Sequence, residues 1–130
     1  MSEPLKVMVV EDDEAIREIL RTALVDEGYD VVVARNGEKA LAYLQSWTPD
    51  LIVLDIMMPV MDGITFRHRQ RELNLAPDAS LLVLSASRTA MPQAHELGAD
   101  FSVAKPFELP ELLDTVSQAL ERESLAAEPR

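Results

Sequence analysis

Four short apolar runs in this chain each end on a polar residue: Val7 to Val10 into Glu11-Asp12-Asp13, Leu51 to Leu54 into Asp55, Leu81 to Leu84 into Ser85, and Phe101 to Ala104 into Lys105. Runs this short and this rich in Val, Ile and Leu read as strands buried on both faces, the condition of strands in a parallel sheet covered by helices. Parallel strands share one C-terminal edge, and in open α/β sheets ligands bind in the crevice outside that edge. Three acids, an Asp, a hydroxyl and a lysine are therefore expected to meet there.

Between the runs the apolar period becomes helical. Ala15, Ile16, Ile19, Leu20, Ala23 and Leu24 form a stripe that Gly28 stops, and Val31 to Ala34 is a weaker fifth strand candidate. Helical patterns follow from Glu38 to about Trp47 and from near Asp62 through Ile64, Phe66 and Leu73. Pro92 suits a first helical turn and Gly98 a C-terminal cap, which leaves room for a short, marginal helix between them. Leu109, Leu112, Leu113, Val116 and Leu120 predict a last helix from about Glu108 to Glu123. Strict alternation of five strands and five helices, with right-handed crossovers, implies a doubly wound, flavodoxin-like α/β sheet in the order 2-1-3-4-5. Residues 1–123 are read as one domain and 124–130 as a C-terminal tail.

In that order the first and third strands are neighbours, so Glu11, Asp12 and Asp13 should stand beside Asp55. Clustered carboxylates repel one another, and such a group either takes up protons or holds a cation. Oxygen donors without His or Cys favour Mg²⁺ or Ca²⁺, and a small set that leaves room for water and phosphate suits Mg²⁺ better. With that ion, Asp55 becomes a plausible nucleophile toward phosphorus. Lys105 supplies a point charge, and the Ser85 hydroxyl can donate to a phosphoryl oxygen. Which two of the three N-terminal acids line the pocket stays open on chemistry alone. Counting from the apolar run favours Glu11 and Asp12, which leaves Asp13 as a helix N-cap or first-turn acid.

The net charge of −11 argues against a nucleic-acid or anionic-membrane surface as the main partner. The chain has no cysteine, no signal-peptide pattern and no apolar stretch long enough to span a bilayer, which makes the cytoplasm the default compartment. His68 and His95 lie among charged or polar neighbours and read as solvated surface. Arg67, Arg69 and Arg71 alternate, so they fan around a helix and read as a solvated helix instead of a nucleic-acid face. Met57, Met58 and Met61 read as loop and pocket packing. No glycine-rich loop follows the first strand, which disfavours nucleotide-binding folds.

The pieces Val9-Val10-Glu11-Asp12-Asp13, Pro49-Asp50 running into Leu51 to Pro59 with Asp62-Gly63, Leu84-Ser85-Ala86, Gly98-Ala99-Asp100 and Lys105-Pro106-Phe107 occur in order at the spacing the fold requires. From about Lys6 to Leu120 the chain resembles the receiver domain of bacterial two-component response regulators, the CheY-like superfamily. The resemblance implies Asp55 as phosphoacceptor, Lys105 as the family's lysine and Ser85 as the switch hydroxyl in place of Thr. It further implies Mg²⁺ held by Asp12, Asp55, Glu11 through water and the Met57 backbone carbonyl, with the Ala86 backbone at the phosphoryl group. The phosphoryl donor would be a sensor histidine kinase or a histidine phosphotransfer protein. Output would pass through a downstream protein partner, a homodimer being compatible with the same reading. A receiver of this kind catalyses only its own phosphorylation and dephosphorylation.

The chain departs from that family in two places. Receivers carry Tyr or Phe three residues before the lysine, where this chain has Ser102; the aromatic is Phe101, which a one-residue shift along a strand directs to the opposite face. The stretch from Ser85 to Gly98 is also shortened. A haloacid-dehalogenase-like phosphatase would need a second Asp where Met57 stands, and a receiver-like module that no longer exchanges phosphate is disfavoured by the complete acidic set.

Overall fold

Backbone placement in the computed structural model is described for residues 3–85 and 91–127. The strands are β1 (Lys6–Val10), β2 (Asp30–Ala34), β3 (Leu51–Asp55), β4 (Ser80–Ser85) and β5 (Phe101–Ala104), and the helices are α1 (Glu14–Asp26), α2 (Gly37–Leu44), α3 (Gly63–Glu72), α4 (Met91–Glu96) and α5 (Leu109–Ala127). All pairings are parallel, in the order β2-β1-β3-β4-β5, which is the expected topology. Apolar side chains alternate across the sheet. Met8, Val10, Ile52, Leu54, Leu81 and Val83 face Ala40, Leu41 and Leu44 of α2, Phe66 of α3 and Ala94 of α4. Val7, Val9, Leu51, Val53, Leu82 and Leu84 face Leu20 and Leu24 of α1 and Leu112, Val116 and Leu120 of α5. Burial on both faces accounts for the continuous apolar runs, because neither set of alternate side chains meets water.

Helix starts follow local chemistry. The carboxylates of Asp13 and Asp62 and the side-chain oxygen of Asn36 accept from the amides of Ile16, Thr65 and Lys39, making them the N-caps of α1, α3 and α2. Gly28, at φ +97°, follows α1 where a side chain would be strained. The short helix expected before Gly98 is the six-residue α4, and α5 runs four residues past the expected Glu123.

One expectation for α3 fails. Arg67 is not on a solvated helix face; it is buried, as is Gln70. Its Nε donates to the Leu97 carbonyl at 2.9 Å and its Nη1 to Gln70 Oε1 at 2.9 Å, while Gln70 Nε2 donates to the carbonyls of Leu75 (3.0 Å) and Ala76 (3.3 Å). Arg71, exposed at the rim, adds a second donor to the Leu97 carbonyl at 2.9 Å. Leu97 follows the end of α4, so the guanidinium groups satisfy a carbonyl that a helix end leaves without an internal partner. Burial, with the neighbouring Arg71 charge adding to it and Asp100 opposing it, pulls the Arg67 pKa below the usual arginine range. His68, Arg69 and His95 are exposed, as read from the sequence.

Candidate functional site

Register brings the chemistry together. Val10 pairs with Leu54, so Glu11 and Asp55 emerge level at the C-terminal edge, and Ser85 pairs with Ala104, which places Lys105 one step beyond it. The Lys105 amide donates to the Ser85 carbonyl at 2.7 Å, and the Ile56 amide to the Leu84 carbonyl at 3.2 Å, so the loops leaving β3 and β5 are both tied to the end of β4. Glu11, Asp55 and Ser85 are buried, whereas Asp12 is exposed. Lys105 Nζ lies 2.9 Å from Glu11 Oε2, 3.1 Å from Glu11 Oε1 and 3.3 Å from Asp55 Oδ2.

Glu11 also accepts from the Asp13 amide through Oε1 at 3.2 Å, and Asp55 Oδ1 accepts from the Met57 amide at 3.2 Å. Asp13 turns its side chain to the α1 amides, in agreement with the count that assigned it to the helix. Each of Glu11, Asp12 and Asp55 can offer a carboxylate oxygen within 4.8 Å of the others. The acids that counting from the apolar run favoured are thus the ones that converge with Asp55.

Two buried carboxylates share one lysine here, and the imbalance shows at Asp55. Burial and then the Glu11 charge push the Asp55 pKa from 3.8 up to about 7, against the opposing pull of Lys105 and the Met57 amide. Burial would lower the Lys105 pKa, but the hydrogen bond and charge of Glu11 and the charge of Asp55 outweigh it and hold the ammonium above its ordinary range. With Asp12 at the rim, three carboxylates meet one ammonium. An all-oxygen donor set with that deficit fits a hard divalent cation such as Mg²⁺.

In sequence Gly63 is only part of a motif, and the structure gives it a task. Its amide donates to the Ile56 carbonyl at 2.8 Å, and a Cβ there would stand 2.7 Å from the Asp55 carbonyl oxygen and 2.8 Å from the Ile56 Cα. Only glycine lets α3 begin this close behind Asp55. Arg17 was also unforeseen: its Nη1 donates to the Glu11 carbonyl at 3.0 Å and the Asp12 carbonyl at 3.3 Å, bracing the acidic loop from α1. Sequence gave Arg17 no signal beyond a polar position on an amphipathic helix.

Phe101 packs with the residues beneath α1 and α5, while Ser102 is exposed and pairs with Val83, a residue of the opposite core. The one-residue shift therefore carries the ring to the α5 side of the sheet. Ala86, expected to contribute its backbone, lies outside the described residues. Met58 is buried, but Met57 is exposed and so does not pack as expected; Val60, also exposed in the same loop, has a left-handed φ of 70°.

Comparison with known proteins converges on one family. Residues 7–117 match the model of the response regulator receiver domain. The response regulator MprA of Mycolicibacterium vanbaalenii is 40% identical over 121 residues, covering 92% of this chain and 52% of that protein. The chain thus spans about half the length of the curated relatives it matches. Among solved structures, the chemotaxis response regulator CheY4 of Vibrio cholerae superposes with a TM-score of 0.82 at 32% identity, covering 89% of this chain and 98% of that one. TrrA of Thermotoga maritima, solved in complex with Mg²⁺ and BeF, superposes with a TM-score of 0.77 at 34% identity, covering 88% and 98%. With strand order, the acid-and-lysine edge and these matches in agreement, the chain belongs to the response regulator receiver domain family of two-component signalling.

Proposed function

We propose that Asp55 accepts a phosphoryl group from a phosphohistidine donor, a sensor histidine kinase or a histidine phosphotransfer protein, and that a downstream protein reads the result. The observation that carries this reading is the burial of Asp55 between Glu11 and Lys105 at the C-terminal edge of β3. An Asp55 carboxylate oxygen attacks phosphorus in line as the phosphorus–nitrogen bond to the donor imidazole breaks, so an acyl phosphate forms and the histidine is regenerated. Lys105 balances charge on the acceptor and on a phosphoryl oxygen. The Ser85 hydroxyl, at the end of the adjoining strand, donates to a second phosphoryl oxygen, and the Ala86 amide serves a third.

Asp12 and Asp55, Glu11 through water, and the Met57 carbonyl would hold Mg²⁺. That ion, when bound, offsets the negative charge of the attacking carboxylate and the phosphoryl oxygens. The similar structure of TrrA in complex with Mg²⁺ and BeF supports Mg²⁺ as the ion. Hydrolysis of the acyl phosphate by water returns the domain to its starting state, so the chain catalyses only its own turnover. Residues 1–123 carry this unit, and its place of action is the cytoplasm, in keeping with the absence among the described residues of a helix long and apolar enough to cross a membrane. Phosphorylation acts by shifting the population of a surface conformation for which the partner has different affinities. The Phe101 position makes that surface unlike one driven by a ring on the Ser102 side.

Incubation with Mg²⁺ and acetyl phosphate, followed by intact mass measurement, tests the proposal. The native chain gains one phosphoryl mass and Asp55→Asn gains none. Absence of the gain in the native chain, or its persistence in the variant, overturns the reading.

A further inference from the structure

A second charged cluster lies at the same sheet edge, beyond β1. A cleft of about 320 Å³ opens between α1 and α2 over the end of β2, lined by Arg17, Val33, Ala34, Arg35, Lys39 and Tyr43. The chain has 23 acidic residues against 12 Lys and Arg, yet this lining holds three cations and no acid. Among the described residues, no ion pair joins Arg17, Arg35 or Lys39 to a carboxylate. Gathered cations repel as gathered carboxylates do, and an anion from outside is the counterpart that the protein does not supply.

The geometry is that of a prepared site more than of a solvated face. Arg17 is half-buried and pinned by its Nη1 bonds to the Glu11 and Asp12 carbonyls at 3.0 and 3.3 Å, so its guanidinium is held in one orientation with other donors left over. Lys39 and Tyr43, four residues apart, share one face of α2, Arg35 lies in the turn just before that helix, and Asn36 fixes the helix start by accepting from the Lys39 amide at 2.8 Å. Tyr43 is 46% exposed and brings an aromatic ring to the wall beside the cations. A cleft of this volume lies at the small end of small-molecule sites.

We propose that this cleft binds a nucleotide, its phosphate on Arg17, Arg35 and Lys39 and its base against Tyr43. Concavity and the aromatic wall favour that class over an acidic peptide, which would need an extended groove, and over phosphate alone, which would leave Tyr43 without a task. The site does not depend on Asp55 accepting phosphate.

The test is titration of the full chain at low salt with AMP, with inorganic phosphate and with a hexaglutamate peptide, followed by amide NMR shifts and calorimetry. AMP is expected to shift the amides of residues 33–43 and to bind roughly tenfold tighter than phosphate. The exposed Arg35→Ala/Lys39→Ala pair should weaken AMP at least about tenfold, and Tyr43→Ala should reduce AMP to the affinity of phosphate, with unchanged thermal unfolding in each. Shifts that do not localise to 33–43, equal AMP binding in the double variant, or a peptide that binds as tightly as AMP would each overturn the assignment.

Discussion

At the ends of β1 and β3, Glu11 and Asp55 are buried beside one lysine, whereas under α3 the buried Arg67 is met by the Leu97 carbonyl and Gln70 Oε1. Both places bury charge, but they compensate it differently. The α3 network closes on itself: carbonyl and amide oxygens accept every bond named above, and Gln70 passes its own donors to Leu75 and Ala76. Burial shifts both groups, the Arg67 pKa down and the Asp55 pKa up to about 7, but at the acid pocket a second buried carboxylate adds to the shift and the protein supplies only one lysine against the two. A buried polar group that the protein satisfies serves structure, while one left for an outside partner marks a site.

Removing the internal partner should break the comparison most visibly. Arg67→Ala strands the Gln70 oxygen, takes one of the two donors from the Leu97 carbonyl and leaves a cavity, so a loss of roughly 3–5 kcal/mol is expected in chemical denaturation. Arg67→Met, which keeps most of the volume, should lose less than Arg67→Ala; equal losses would mean that the hydrogen bonds and not the space matter. Phosphoryl gain at Asp55 should persist in whatever fraction remains folded. Gly63→Ala tests the other region, since its Cβ meets Asp55 and Ile56 backbone that cannot swing aside. A loss of roughly 2–3 kcal/mol is expected together with slower labelling by acetyl phosphate, and a stable variant with native labelling would contradict the close approach.

The unclosed charge predicts an unusual pH dependence. Asp55 titrates near 3.8 when unfolded and about 7 when folded, so between those values the unfolded chain releases a proton that the folded chain retains. Stability therefore falls as pH rises through that window and levels off above it. Asp55→Asn removes the effect: without divalent cations the variant should gain over the native chain between pH 4.5 and 7.5, on the order of 2 kcal/mol, and Mg²⁺ should restore the native chain at the upper end. A difference that does not change with pH would refute the charge imbalance. The smallest effect is expected at the third acid. Asp13→Ala should cost about 1 kcal/mol as a lost N-cap and leave Mg²⁺-dependent labelling intact; loss of labelling would move Asp13 into the pocket.

Much of the fold was readable because its signals are local. Val7 to Val10 and Leu51 to Leu54 announce buried strands by composition, Asp13 and Asp62 announce helix starts by spacing, and strict alternation restricts the topology. From topology it followed that Glu11, Asp12, Asp55, Ser85 and Lys105 share an edge. Arg67 was misread because its surroundings come from α4 and the chain near Leu97, some 30 residues away, and an arginine in an alternating series gives no sign of them. Gly63 was visible only as part of a motif, since its purpose is a backbone approach.

The sequence by itself determined the strands, the edge they share and the acids, hydroxyl and lysine placed on it, because period and strand-end position are properties of neighbouring residues. Tertiary structure alone decided which charges are compensated. It buried Arg67 among oxygens, left Glu11 and Asp55 with one lysine, and gathered Arg17, Arg35 and Lys39 around a cleft without an acid. Electrostatic balance depends on distances between segments far apart in the chain, and those distances exist only after the sheet has formed.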